Sequence, residues 1–104
     1  MKQIAGTLIS VGFLAVLGGS AFAADLSNGE AVAKRWCAAC HVVAPDQKSG
    51  NTQVAPFSAI AKMPGFDEYK LALYLLLPHP KMPDMSLSRS EAADLTAYIV
   101  MQGH

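Results

Sequence analysis

The stretch Trp36-Cys37-Ala38-Ala39-Cys40-His41 constrains this chain more than any other feature. It reads C-x-x-C-H, the attachment signature of c-type haem. Two thiols separated by two residues reach the two vinyl groups of one macrocycle and become thioethers. The residue that follows, His41, then sits where its imidazole binds the iron. Cys37 and Cys40 are the only cysteines in the sequence.

Other uses of the motif fit less well. Two cysteines in an exported chain can form a plain disulfide, but that would give His41 no part. A thioredoxin-type pair places a low-pKa cysteine at the start of a helix that follows a strand. Residues 28–35, just upstream, read as a helix instead, and β-branched runs are missing nearly everywhere. A zinc site needs further ligands at finger-like spacing, and His79 and His104 do not supply them.

The N-terminus reads as an export signal. Met1-Lys2-Gln3 is a short positive region, residues 4–17 are apolar, and Ala21-Phe22-Ala23 is the small-x-small pattern cut by signal peptidase. Residues 1–23 are therefore expected to be a cleaved signal peptide, and residues 24–104 a single domain. Residues 4–24 are just long enough to span a bilayer, so an uncleaved anchor is the alternative. Either way the folded part lies outside the cytoplasm, which in a bacterium means the periplasm.

A chain of this size holds a marginal core, on the order of 3–5 kcal/mol before any staple is counted. A covalent haem would act as both staple and core. The whole sequence carries 8 basic and 8 acidic residues, and loss of Lys2 tips the domain slightly acidic. It has no basic stripe for nucleic acid and no strong field for long-range steering. A partner must be recognised through a local patch.

Further along, Ser27 or Asn28 can cap a first helix that delivers the motif, with Glu30 near the positive end of its dipole. Gly29 either allows close approach of another helix or is an ordinary residue at the helix start. Trp36 is expected in the core or at the haem edge. Residues 42–57 hold Pro45, Gly50 and Pro56 and read as a loop. Near Ala55-Pro56-Phe57 a backbone carbonyl can accept the second ring N–H of His41, which would fix its tautomer and increase electron donation to iron. Pro56 lacks an N–H to compete. Residues 58–62 can form a helical turn. Residues 67–77 read as a helix that is apolar nearly all round, and so buried on more than one side, ended by Pro78. Ser88-Arg89-Ser90-Glu91 is a capping box. It opens a last helix over residues 90–101, with Leu95, Tyr98 and Ile99 on one face.

Three side chains in the proline-rich loop can reach the iron: His79, Met82 and Met85. Met82 lies between Pro80 and Pro83, which restrict the backbone on both sides. Met85 lies close to Ser88 and is better placed to pack under the last helix. His79 follows Pro78 directly and has little slack.

With these pieces in order, residues 24–104 resemble the class I cytochromes c along almost their whole length. Gly29 and Val32 precede the haem motif. Ala55-Pro56 resembles the family's Gly-Pro segment, whose proline carbonyl supports the proximal histidine. Tyr74-Leu75-x-x-Pro78 resembles the end of the helix that walls the haem. Met82-Pro83, then Leu87-Ser88-x-x-Glu91, then Asp94-Leu95-x-Ala97-Tyr98-Ile99 resemble the methionine-ligand loop and C-terminal helix. The departures are Ala55 in place of glycine and no aromatic residue midway along the first helix.

The resemblance implies an all-α fold of three to four helices around one covalent haem c. It implies His41 and Met82 as axial iron ligands, with Met85 the alternative to Met82, and Leu95 and Tyr98 packed across the first helix near Gly29. Ligation by histidine and methionine raises the potential and, by filling both axial positions, leaves no open site. The expected function is one-electron transport between donor and acceptor redox proteins met transiently, without enzymatic activity. The alternatives are a cytochrome subunit of an oxidoreductase complex, and a haem enzyme or gas-binding protein with an open iron site.

Overall fold

The computed structural model describes residues 23–77 and 82–104. The proposed leader before Ala23 lies outside them, as does Pro78-His79-Pro80. The described residues form four helices and no strand: α1 (Leu26–Trp36), α2 (Phe57–Ile60), α3 (Glu68–Leu76) and α4 (Arg89–Gln102).

Helix α4 is the hub, because α1, α2 and α3 all pack on it. Its start is the expected capping box: the Ser88 hydroxyl accepts from the Glu91 N–H at 3.1 Å, and the Glu91 carboxylate accepts from the Ser88 N–H at 2.9 Å. Its buried residues Ala92, Leu95, Thr96, Tyr98 and Ile99 face the other helices. With Val32, Ala33, Val43, Phe57 and Leu75, the apolar ones among them make up most of the core.

The crossing of α1 and α4 depends on Gly29. A Cβ at this position would lie 2.1 Å from the Asp94 carbonyl oxygen and 2.9 Å from Tyr98 Cβ. Gly29 therefore serves close approach and is not an ordinary helix-start residue. Around the same crossing the Asp94 carboxylate accepts from the Asp25 N–H at 2.8 Å and from Asn28 Nδ2 at 2.9 Å.

Three local expectations need correction. The cap of α1 is Asp25, whose side chain accepts from the Asn28 N–H, and not Ser27 or Asn28. The helix thus starts earlier, Glu30 falls outside the first turn, and it pairs with Lys34 at 2.8 Å instead. The third concerns α3, capped by Asp67, which is not buried on more than one side. Only Leu75 is buried, whereas Tyr69 is 88% and Leu73 57% exposed. A nine-residue helix that packs on α4 acts as an outer wall, so Tyr69 and Leu73 lie on its outward side.

Candidate haem-binding site

Helix α1 ends immediately before the cysteine motif. The Cys37 and Ala38 N–H groups still bond to the Ala33 carbonyl, at 2.9 and 3.1 Å. The chain then makes one more turn, in which Cys40 and His41 donate to the Cys37 carbonyl at 3.1 and 2.8 Å. Residues related as i, i+3 and i+4 share one side of such a turn. Cys37, Cys40 and His41 accordingly line one cleft of about 270 Å³.

The remaining cleft walls are apolar. Phe57 and Ile60 come from α2, Leu71, Tyr74 and Leu75 from α3, and Leu95 and Ile99 from α4. The loop before α4 adds Met82, Pro83 and Met85. Trp36, Ala39, Asn51 and Val54 complete it, and no Asp, Glu, Lys or Arg is among the described lining residues.

His41 is oriented on both sides. Its Nδ1 lies 2.6 Å from the Ala55 carbonyl oxygen. A carbonyl only accepts, so Nδ1 carries the proton and Nε2 keeps its lone pair for a metal. The ring also packs on Phe57, with centroids 5.5 Å apart, and Phe57 in turn meets Tyr98 edge-on at 6.4 Å. The supporting carbonyl is thus one residue earlier than the Pro56 carbonyl that the resemblance implied. Pro56 caps α2 instead, and its carbonyl accepts from Ala59 and Ile60 at 2.9 and 3.2 Å. A carbonyl committed to the first turn of a helix is turned away from the imidazole.

Both thiols are free. Burial pushes the Cys37 thiol up to about 11, so it is held protonated near neutrality, while Cys40 is exposed. Met82 is half-buried against the core, and Met85 is buried, yet both line the cleft. Packing under the last helix is therefore not the whole role of Met85. Trp36 stands at the cleft lip, 44% exposed, and Tyr74 is 47% exposed on the α3 side. Of the two places expected for Trp36, the core is excluded. His79 lies outside the described residues.

This donor set fits a haem and not a bare ion. Two unpaired thiols, an imidazole with Nε2 available and two thioethers meet in an apolar cleft. No group of three or more His, Cys, Asp or Glu side chains among the described residues could hold a metal ion.

Sequence reasoning missed Gln47. Its Oε1 accepts from the Val43 N–H at 2.9 Å, and its Nε2 donates to the carbonyls of Ala38, His41 and Ser49 at 3.1, 2.8 and 3.0 Å. One glutamine in a loop carries no distinctive pattern. The only hint is that a partly buried loop needs partners for its backbone groups. Gly50 belongs to the same arrangement, since a Cβ there would lie 2.8 Å from the Cys40 carbonyl oxygen.

The chain is 54% identical over 80 residues to cytochrome c-552 of Bradyrhizobium diazoefficiens, and the match covers 77% of each chain. No family model matches the chain, and no solved structure matches it significantly.

Proposed function

The chain belongs to the class I c-type cytochromes, electron-transport proteins with covalently bound haem c, and on that premise we propose that it is a one-electron carrier rather than an enzyme. Cys37 and Cys40 would hold the macrocycle as thioethers, with His41 Nε2 and Met82 Sδ as axial ligands. Bound haem supplies an iron that cycles between the ferrous and ferric states. The protein's part is to keep both axial positions filled, exclude water with the apolar walls and present one edge to partners.

The observation that carries this reading is the convergence of Cys37, Cys40, His41 and two methionines on one cleft, with His41 Nδ1 engaged by the Ala55 carbonyl. A ring tethered in that way would offer only Nε2 to a haem iron, and a soft thioether ligand from Met82 would favour the ferrous state.

Partners would be donor and acceptor redox proteins that bind weakly and briefly. Trp36 and Tyr74 offer amphipathic contact area at the lip, and the uncharged lining favours partners with an uncharged patch of their own. Among the described residues no helix is long and apolar enough to cross a membrane. Export to the periplasm behind a cleaved signal peptide is part of the proposal, supported by the Ala21-Phe22-Ala23 pattern.

The optical spectrum of the purified protein tests the assignment. A carrier with His/Met ligation is low-spin in both states and shows a weak charge-transfer band in the red when ferric. A high-spin ferric spectrum that takes up carbon monoxide on reduction would point to an open iron site. Copurification with a stoichiometric partner would point to a complex subunit.

A further inference from the structure

The arrangement around Gln47 has a purpose beyond closing a loop. Along the strip that carries the haem motif, several carbonyls meet donors from outside it. Cys40 accepts from the Asn51 N–H at 2.7 Å, Val42 from the Phe57 N–H at 2.9 Å, and Val43 from the Tyr98 hydroxyl at 2.8 Å. The Ala38 and His41 carbonyls are met by a single side-chain amide, that of Gln47, which also accepts from Val43. One side chain therefore grips the motif before Cys40, at His41 and beyond it.

We propose that Gln47 is a positioning residue for the proximal ligand: by holding the His41 carbonyl it fixes the backbone from which the imidazole reaches Ala55, and so sets the strength of the Nδ1–H···O=C bond. The proposal rests on His41 being an axial ligand. A side chain has two handles, its backbone and its tip. Ala55 holds the tip of His41 at 2.6 Å, and Gln47 holds the backbone at 2.8 Å. Donation from Nδ1–H to a carbonyl makes the imidazole a better electron donor and stabilises ferric iron. If the backbone handle loosens, the Nδ1 bond weakens, the ring donates less and the potential rises.

Two variants of the haem-loaded protein separate the possibilities. Gln47→Leu removes every contact. Gln47→Glu keeps an oxygen for the Val43 N–H but removes the donor to Ala38, His41 and Ser49. In each, Nδ1–H exchange of the His41 ring is followed by NMR on the ferrous protein, together with the reduction potential and the melting temperature. We expect both variants to exchange Nδ1–H faster, by roughly tenfold, the worth of one hydrogen bond, and both to show a higher potential. If melting falls while exchange and potential stay at their wild-type values, Gln47 merely braces the loop and the proposal is overturned. If only Gln47→Leu shifts them, the Val43 contact suffices and donation to His41 plays no part, which also overturns it. A wild-type protein without haem-shifted His41 ring resonances would overturn the ligand assignment as well as this inference, and it is recognised before any variant is made.

Discussion

The hydroxyl of Tyr98 donates a 2.8 Å hydrogen bond to the carbonyl of Val43, across 55 residues of sequence. It ties the last helix to the loop that leaves the haem motif, in a buried setting. Val43 is almost wholly inaccessible and Tyr98 is buried against Gly29 and Phe57. The bond therefore joins two elements that the sequence keeps far apart, the motif loop and α4, at the place where α4 also meets Gly29 of α1.

Tyr98→Phe should cost about 1–3 kcal/mol, because it leaves a buried carbonyl without its donor. The pH dependence has a definite sign. Burial raises the phenol above its ordinary value of 10.0, since the fold disfavours the phenolate. Its contribution is then fully present below pH 10 and is lost as pH rises through the folded value. Urea unfolding at a series of pH values checks both points. The gap between wild type and Tyr98→Phe should be constant near neutrality and shrink above pH 10.

Gly29→Ala should destabilise through overpacking, by about 1–3 kcal/mol or more. The atom it meets, the Asp94 carbonyl oxygen at 2.1 Å, is backbone and can move only if α4 moves. Thermal melting of the haem-loaded protein measures the cost. An unchanged melting temperature would mean that the crossing is looser than the geometry requires.

These two positions also indicate what was legible in the sequence. The capping box at Ser88 and Glu91 and the face of Leu95, Tyr98 and Ile99 follow from local pattern, and they are present. Gly29 could be read as a place of close approach, and the resemblance named Tyr98 across from it; the Asp94 carbonyl that comes nearest could not be read, because a backbone contact between helices leaves no pattern in the sequence. The apolar sequence of α3 misled, since hydrophobicity indicates what could be buried and not how many neighbours are available. The His41 support was located to within one residue. A carbonyl's direction depends on backbone angles that Ala55-Pro56 does not disclose, and the start of α2 claimed the proline's carbonyl. Gln47 stayed hidden because an amide with four partners has the same letter as one in solvent.

Electron self-exchange between the ferrous and ferric protein should depend weakly on salt. The cleft lining has no charged side chain among the described residues, and the domain without Lys2 is only slightly acidic. Screening over a Debye length of about 8 Å at physiological ionic strength then has little to act on. NMR line broadening in mixtures of the two states gives the rate. A steep rise with added salt would reveal like charges facing each other at the contact, and would exclude the Trp36 and Tyr74 lip as its centre.

The distal ligand is the sharpest prediction, because the structure brings two candidates to the same cleft. Met85 is more deeply buried than half-buried Met82. The Asp84 carboxylate accepts from the Ser86 N–H at 3.0 Å, and Ser86 has a φ of 52°, so Met85 sits inside a tight turn. A side chain held in such a turn suits packing against the haem wall. Met82 packs against the core with Pro83 fixing the backbone after it, which gives a weak thioether ligand the restraint it needs. Met82→Ala should abolish the red charge-transfer band, lower the reduction potential and open the iron to carbon monoxide and cyanide. Met85→Ala should keep the band and lose stability, by about 2–5 kcal/mol for a buried methionine. Optical titration and denaturant unfolding of both variants decide the matter. Loss of the band in Met85→Ala, with its retention in Met82→Ala, would move the ligand to Met85.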